Sequence, residues 1–310
     1  MFDVICLGIL VVDVLAKPLK SWPDKGGLVL IDELELHAGG CAANTGTALG
    51  KMGIKTGIIG KVGDDAYGNF LISQMERYNL DLRGVVRDPH VATSATLVLV
   101  SPDGERSFIH YLGANGEFKE SEVDSRLIKD CKILHIAGSF LMPKLDGKPT
   151  ANILRKAKEA GVITSLDTAW DEKNRWMKIL KPCLPYLDIF LPSIKEAEKL
   201  TNKKKKEDIA EDLLALGIKV VGLKAGERGS YFRTKDESFF IPPYKVTVKD
   251  TTGAGDCFVA GFLAGQVFGW DLKRCGQFAN ALGAQCVQSL GATSGIKSQK
   301  EMIEFMEKQD

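Results

Sequence analysis

Asp250-Thr251-Thr252-Gly253-Ala254-Gly255-Asp256-Cys257-Phe258-Val259-Ala260-Gly261-Phe262 passes from a turn of small residues into an apolar segment with Phe258 and Phe262 four apart. Residues at i and i+4 share one face of a helix, so the segment reads as a helix opened by a glycine-rich turn. The first turn of a helix leaves backbone N–H groups without intrahelical acceptors at the positive end of the helix dipole. That geometry suits an anion, and above all charge developing on a phosphate. Asp256 falls in the same turn, where the dipole favours its ionised form. Beside a phosphate its carboxylate can take the proton of an attacking hydroxyl, so one turn would supply both base and anion hole. A plainer reading stays open at this point, with Asp256 as a mere helix-start residue. Upstream, Pro242-Pro243-Tyr244-Lys245-Val246-Thr247-Val248 reads as a loop running into a short strand.

A second segment bears on the choice. His37-Ala38-Gly39-Gly40-Cys41-Ala42-Ala43-Asn44 sets a Gly-Gly turn before a run of small residues that continues to Gly53 at helical spacing. Gly39 and Gly40 let backbone approach a ligand closely, and Asn44 offers a donor and an acceptor one turn later. Such a surface fits a polyhydroxylated molecule. Tight packing of the helix on a sheet would explain the alanines but not the glycines together with Asn44.

Outward from these two segments, apolar runs alternate with helical patterns. Residues 3–14 are rich in Val, Ile and Leu like one buried strand, and further strands are expected at 55–62, 95–100, 133–137, 163–166, 189–191 and 220–223. Helices are expected at 151–160 and 206–216, and a closing helix after Ser298, whose spacing to Glu301 is that of a capping box, with Met302, Phe305 and Met306 on one face. This alternation predicts one α/β domain over residues 1–310, a largely parallel sheet in a three-layer α/β/α arrangement. Residues 28–37 and 93–111 are extended but lack intervening helices, and Ser101-Pro102-Asp103-Gly104 marks a hairpin turn inside 95–111. These strands form either a small flap over one end of the main sheet or extra antiparallel strands at its edge.

Composition removes several classes of function. Lys and Arg number 41 against 40 Asp and Glu, so global charge gives no reason to expect nucleic acid or an anionic membrane as partner. No apolar run approaches the ~20 residues needed to span a bilayer, and Met1-Phe2-Asp3-Val4-Ile5-Cys6 lacks the pattern of a signal peptide. The seven cysteines are scattered without a C-x-x-C pair, which fits reduced thiols in a cytoplasmic protein better than a disulfide framework or a metal cluster. The four histidines show no ligand spacing. Lys203–Lys206 is followed at once by Glu207 and Asp208 and reads as a solvated helix start. There is no G-x-x-x-x-G-K-[ST], no G-x-G-x-x-G after the first strand and no protein-kinase signature set, so the common phosphate-binding alternatives are disfavoured.

Taken together, the segments around Gly39–Asn44 and Asp250–Asp256 resemble the two signatures of the ribokinase-like (PfkB) family of carbohydrate and nucleoside kinases, in order, separation and the D-T-x-G-A-G-D core, with weaker likeness from about residue 3 to residue 296. The resemblance implies a Rossmann-like domain with a small β-sheet lid, here from about 14–38 and 93–113, and phosphoryl transfer from ATP with Mg²⁺. It implies Asp256 as base, with Gly253, Ala254 and Gly255 as anion hole, and substrate contacts from Asp13, Gly39, Gly40 and Asn44. It places nucleotide contacts at Lys224, Gly226 and Gly229, at Asn280, and at Ser193 and Glu196, with Glu196 organising water on Mg²⁺. It sets Asp250, Thr252, Cys286, Ser289 and Gly291 where relatives supply oxygens to an activating monovalent cation such as K⁺.

Two positions depart from the family pattern. Ser193 stands where the N-x-x-E motif has Asn, which weakens the case for a direct phosphate contact, and Lys224 stands where relatives often have Thr or Ser. Lys224 adds positive charge at the phosphates or is a solvated lysine. The Arg106-Ser107-Phe108 run is similar to fructokinases and 2-keto-3-deoxygluconate kinases, while the Gly39–Asn44 variant also resembles nucleoside kinases. The order of expectation is a ketohexose or related sugar acid, then ribose, then a nucleoside, for which Phe108 and Tyr111 are candidate base contacts. A non-catalytic sugar or nucleotide sensor on the same scaffold is the competing class. Lid edges invite pairing into a homodimer.

Overall fold

Phe2–Gly8 is buried along almost its whole length and runs parallel to a strand on either side, the position of a central strand in an α/β sheet. A computed structural model of the chain describes residues 1–308, with strands β1 (Phe2–Gly8), β2 (Val11–Lys17), β3 (Glu33–Gly39), β4 (Thr56–Gly63), β5 (Asp81–Asp88), β6 (Ala95–Val100) and β7 (Arg106–Tyr111). β8 (Cys131–Ser139), β9 (Ile163–Thr168), β10 (Ile189–Phe190), β11 (Val220–Lys224), β12 (Ser230–Arg233) and β13 (Ser238–Ile241) follow. The large sheet has the order β13-β12-β11-β10-β9-β8-β1-β4-β5. It is parallel except where β12 runs against both its neighbours. From β1 the chain moves outward through β4 and β5, then returns to the other side of β1 with β8. Ligands of open α/β sheets bind beyond the carboxyl ends of the strands at such a reversal.

Helices cover both faces, which makes three layers. Cys41–Lys51, Ala254–Val267, Leu272–Cys286 and Gln299–Glu307 pack on one face. Lys148–Glu159, Ile194–Thr201 and Lys206–Ala215 pack on the other. Phe258 and Phe262 lie on the buried side of their helix and stack on Phe232 of β12 at centroid distances of 6.0 and 5.3 Å. Ser298 and Glu301 form the capping box, with Met302 and Met306 buried beneath.

The apolar run expected as a single strand over residues 3–14 is divided between two sheets. β1 ends at Gly8, whose neighbour Ala137 approaches so closely that a Cβ would lie 1.9 Å from its carbonyl oxygen. Asn115 then binds both backbone groups of Leu10, accepting from its N–H at 3.1 Å and donating to its carbonyl at 3.0 Å. Of the two residues between β1 and β2, Ile9 pairs with the Ala137 carbonyl and the Ala42 N–H, and the Asn115 side-chain amide satisfies Leu10. The small sheet has the order β3-β2-β6-β7, with β6 and β7 as the expected hairpin. Residues 28–32, grouped with the following strand from their pattern, lie outside it. Residues 244–248 form no strand either. Asn280 donates to the carbonyls of Ile241 at 3.2 Å and Pro242 at 2.9 Å, so a side chain satisfies the backbone where the chain leaves β13.

Candidate active site

Gly253 takes φ 74° and ψ 0° at the N-cap of Ala254–Val267. That left-handed conformation and the approach of Ala292, whose carbonyl oxygen would lie 2.4 Å from a Cβ, both require glycine. The Ala254 N–H donates to the Thr251 carbonyl at 3.2 Å, which corrects its place in the expected anion hole and leaves the N–H groups of Gly253, Gly255 and Asp256 for an anion in the cleft between the two sheets. Asp256 follows in that turn, and its Oδ2 accepts a hydrogen bond from Asn44 Nδ2 at 2.8 Å. Thr45 Oγ1 donates to the Asp256 carbonyl at 3.3 Å, so the helix Cys41–Lys51 is tied to the base of the second helix at two points. The helix dipole does not govern Asp256: burial pushes its carboxyl above the usual carboxylate range, against the pull of the Asn44 hydrogen bond and the Lys224 charge. A raised value brings a candidate general base closer to neutral pH, where proton acceptance is most effective.

Asp13 faces the same cleft from β2. Burial pushes its carboxyl up to about 6, opposed by a hydrogen bond from Thr96 and the charge of His37. The register explains these partners, because His37 of β3, Asp13 of β2, Thr96 of β6 and His110 of β7 lie opposite one another across the small sheet. Gly39 leaves room for this carboxylate; a Cβ there would stand 2.2 Å from Asp13 Oδ2. Gly40 caps the Asn44-bearing helix. Between that helix and residues 291–294 is a cavity of about 160 Å³ bordered by His37, Asn44, Gln74, Tyr78 and Thr293.

On the other side of Asp256 is a buried charge cluster. Lys224, at the end of β11, donates to Asp167 Oδ2 at 2.5 Å, with side-chain exposures of 13% and 6%. Its Nζ lies 3.4 Å from where a Cβ on Gly255 would be, so the ammonium stands at the mouth of the glycine turn. Glu196 Oε2 accepts from Thr168 Oγ1 at 3.1 Å and from the Ser193 N–H at 2.8 Å. Burial pushes Asp167 up to about 7, with Glu196 adding to the rise and Lys224 opposing it. Burial also works against the Lys224 ammonium, yet Asp167, Glu196 and Asp256 outweigh it and raise its pKa. The origins differ: burial leads the rise of Asp167, whereas three carboxylates sharing a single ammonium raise Lys224. Further negative charge is resisted there and positive charge is held.

The remaining predicted positions divide in two. Gly226 and Gly229 flank a short 3₁₀ turn between β11 and β12, next to Lys224 in the chain. Ser193 Oγ accepts from the Glu196 N–H at 3.3 Å, so serine here closes a capping box around the Glu196 carboxylate. Asn280 spends its amide on Ile241 and Pro242. The Asp250 carboxylate joins Thr252 and Gly291, the Ser289 N–H donates to the Cys286 carbonyl at 3.2 Å, and the Asp250 and Thr252 side chains face Arg106 of β7. Arg106 Nη1 donates to Asp250 Oδ1 at 2.6 Å and to Thr252 Oγ1 at 2.5 Å. Asp250 Oδ2 accepts from the Gly291 N–H at 2.9 Å. Burial of Asp250 opposes its ionisation, yet the Arg106 hydrogen bond and the Thr252 and Gly291 amides bring it down to about 2.

The profile of pfkB family carbohydrate kinases matches residues 1–299. The chain belongs to this family. Among its relatives, a probable fructokinase-5 of Arabidopsis thaliana is 31% identical over 301 residues, 92% of this chain and 93% of that protein. A 2-dehydro-3-deoxygluconokinase of Bacillus subtilis is 26% identical, over 92% of this chain and 91% of that one. A solved structure of a putative ribokinase II from E. coli in complex with ATP and Mg²⁺ superposes with a TM-score of 0.88 at 26% identity, covering 99% of this chain and all of that one. The protein is thus an ATP-dependent carbohydrate kinase with the ribokinase-like fold, and no helix among its described residues is long and apolar enough to cross a membrane.

In this pfkB kinase Asp167, the partner of Lys224, lies outside every motif of the sequence. Its one signal is an acidic residue directly after the expected strand Ile163–Leu166, because a charge at the carboxyl end of a buried strand is costly unless it is used. Arg106 was noticed for its resemblance alone. Its reach across 144 residues to Asp250 has no signature in local pattern.

Proposed function

We propose that this kinase phosphorylates a hydroxymethyl group of a ketohexose or a related keto sugar acid, with Asp256 as general base. The observation that carries the reading is the Asn44–Asp256 hydrogen bond at 2.8 Å. It holds a carboxylate between the Asp13 side of the cleft and the open amides of the glycine turn. With the sugar's hydroxyls on Asp13, Asn44 and the Gly39–Gly40 backbone, its terminal hydroxyl lies against Asp256, which accepts the proton as the oxygen attacks the terminal phosphate in line. The amides of Gly253 and Gly255 and the Lys224 ammonium face the negative charge that develops there, whereas the Ala254 N–H is held by the Thr251 carbonyl at 3.2 Å. Gly226, Gly229 and Asn280 lie along the nucleotide side.

The residues fit Mg²⁺. No three His, Cys, Asp or Glu side chains among the described residues form a cage, and Mg²⁺ is ordinarily held by one or two carboxylates together with water and substrate phosphates. Glu196 and Asp167 are the carboxylates placed to do this, through water, and Mg²⁺ when bound would neutralise phosphate charge. Ser193 holds Glu196 in place without contacting phosphate itself. The fructokinase and 2-dehydro-3-deoxygluconokinase relatives support the ketose class.

The test is ADP release from Mg·ATP with fructose, 2-keto-3-deoxygluconate, ribose, adenosine and inosine. Strongest turnover with one of the first two is expected; turnover confined to a nucleoside would refute the ketose assignment. The titration of Asp13 adds a pH signature. Since its carboxyl is held at about 6, it is protonated in acid and loses its capacity to accept from two sugar hydroxyls. KM for the sugar should therefore rise below about pH 6, by about tenfold per unit at the acid limit, while KM for Mg·ATP stays level. In Asp13→Asn the acid rise in sugar KM should vanish; if it persists, Asp13 is not the group responsible.

The lid also supports self-association. By alternation, the face of the small sheet turned away from the cleft carries Leu34, Leu36, Ile109 and Tyr111, with Leu34 66% and Ile109 50% exposed. An apolar sheet face of this kind fits the same face of a second copy. Sedimentation should give a dimer that Leu34→Glu converts to monomer; a monomeric wild-type protein at micromolar concentration would rule this out.

A further inference from the structure

We propose that Arg106 takes the part of a monovalent cation in this kinase and latches the small sheet onto the loop that carries the anion hole, so that turnover does not depend on K⁺. A cation site at residues 250–252 and 286–291 needs several oxygens free to converge on an ion. Here the side-chain oxygens of Asp250 and Thr252 are already engaged. Both carboxylate oxygens of Asp250 are used, Oδ1 by Arg106 at 2.6 Å and by the Thr252 N–H at 2.8 Å, Oδ2 by the Gly291 N–H at 2.9 Å. Thr252 Oγ1 accepts from Arg106, and the Thr252 carbonyl accepts from Cys286 Sγ at 3.4 Å. The Ala292 carbonyl lies nearer the same thiol, at 3.1 Å, and the single S–H serves one of the two carbonyls at a time, so Cys286 lines the spot with a soft S–H donor, which does not suit a hard cation.

The guanidinium delivers a permanent positive charge where an ion would deliver one, and the two N–H groups of Nη1 reach the carboxylate and the hydroxyl together. It also adds what a free ion cannot. Arg106 is the first residue of β7 in the small sheet, whereas Thr252 immediately precedes the Gly253 turn. Closure of the sheet over the cleft and ordering of the anion hole are joined by one side chain that is itself only 20% exposed. Arg106 is therefore a positioning residue, acting through Asp250 and Thr252 on the amides behind them.

The turnover arms of the test rest on the kinase reading above; the binding arm does not. Wild-type turnover with fructose or 2-keto-3-deoxygluconate should be equal in KCl and in tetramethylammonium chloride at constant ionic strength. Arg106→Ala should lose about tenfold or more in tetramethylammonium chloride, the loss of a charge-assisted hydrogen bond, and recover in KCl or with added guanidinium. Arg106→Lys, which keeps the charge, should stay insensitive to K⁺. Independently of catalysis, titration with Tl⁺ as a K⁺ probe, followed by ²⁰⁵Tl NMR, should show no site in the wild type and one in Arg106→Ala. Specific activation of the wild type by K⁺, Tl⁺ binding to the wild type, or an Arg106→Ala enzyme with unchanged turnover would each overturn the proposal. If no sugar is turned over at all, Tl⁺ binding still decides it, and Tl⁺ bound by folded Arg106→Lys would count against it.

Discussion

Asp256→Asn should fold as the wild type does, bind sugar and Mg·ATP, and turn over about 10²–10⁴-fold more slowly, the usual loss for a removed general base. The substitution is nearly isosteric, and the Asn44 amide can still donate to the oxygen of the substituted side chain, so the 2.8 Å link between the two helices has a replacement. On the proposed mechanism, what disappears is the proton acceptor. Because only the transition state uses it, the loss should fall on kcat with KM for either substrate little changed. Equal thermal midpoints for mutant and wild type, with a collapsed kcat, are the expected pair of results. A variant with near-normal kcat would remove Asp256 from the role of base, and one that fails to fold would show the carboxylate to be structural.

Lys224→Met should weaken both the site and the protein. Deleting the ammonium leaves Asp167, Glu196 and Asp256 with no cation among them, and breaking a buried pair by removing one partner costs about 3 kcal/mol or more. The cost should depend on pH in a defined direction. Asp167 is already held at about 7 with Lys224 present, above the ordinary carboxylate value, and removal of its counter-charge moves it higher still. In the mutant, Asp167 evades the penalty by taking a proton. The destabilisation relative to wild type is therefore greatest at alkaline pH, lessens as pH falls through the folded pKa and is smallest near the unfolded carboxylate value. Urea titrations at pH 9 and pH 5.5 measure this directly; a gap that widens in acid would contradict it. Turnover should fall by about 10²-fold through lost stabilisation of phosphate charge, and Arg in place of Lys should restore stability more fully than activity.

The parts of this enzyme that local pattern could reveal were those built from contiguous residues. A glycine turn feeding an apolar helix has a signature of spacing, so the placement of Gly253–Gly255 and Asp256 at one helix start could be anticipated, as could the Gly39–Gly40 turn. The parallel strands were legible because burial on both faces makes them continuous apolar runs. β5 was not, since it lies at the sheet edge and its Asp81, Arg83, Arg87 and Asp88 interrupt the pattern. β12 and β13 are four residues each, too short to show a period. The break between β1 and β2 was hidden for a different reason. It rests on Asn115, over a hundred positions away, satisfying the Leu10 backbone.

The same distinction holds within the site. Asn44 and Asp256 are 212 residues apart and Lys224 and Asp167 are 57 apart, so their pairings follow from the topology that collects strand ends. Burial then set the charges. Helix position alone argued for an easily ionised Asp256, whereas desolvation in the cleft raises its pKa. Sequence likewise could not distinguish a Ser193 that contacts phosphate from one that caps a helix, because either use leaves the same residue in the same place.

The central claim is transfer of a phosphoryl group to a hydroxymethyl oxygen deprotonated by Asp256. The most direct measurement is ³¹P NMR, with proton correlation, of the product made from Mg·ATP and fructose or 2-keto-3-deoxygluconate. The expected result is one new phosphate monoester coupled to a CH₂ group, formed by the wild type and nearly absent with Asp256→Asn over the same time. A phosphate coupled to a ring CH–OH, or equal product from both enzymes, would contradict it.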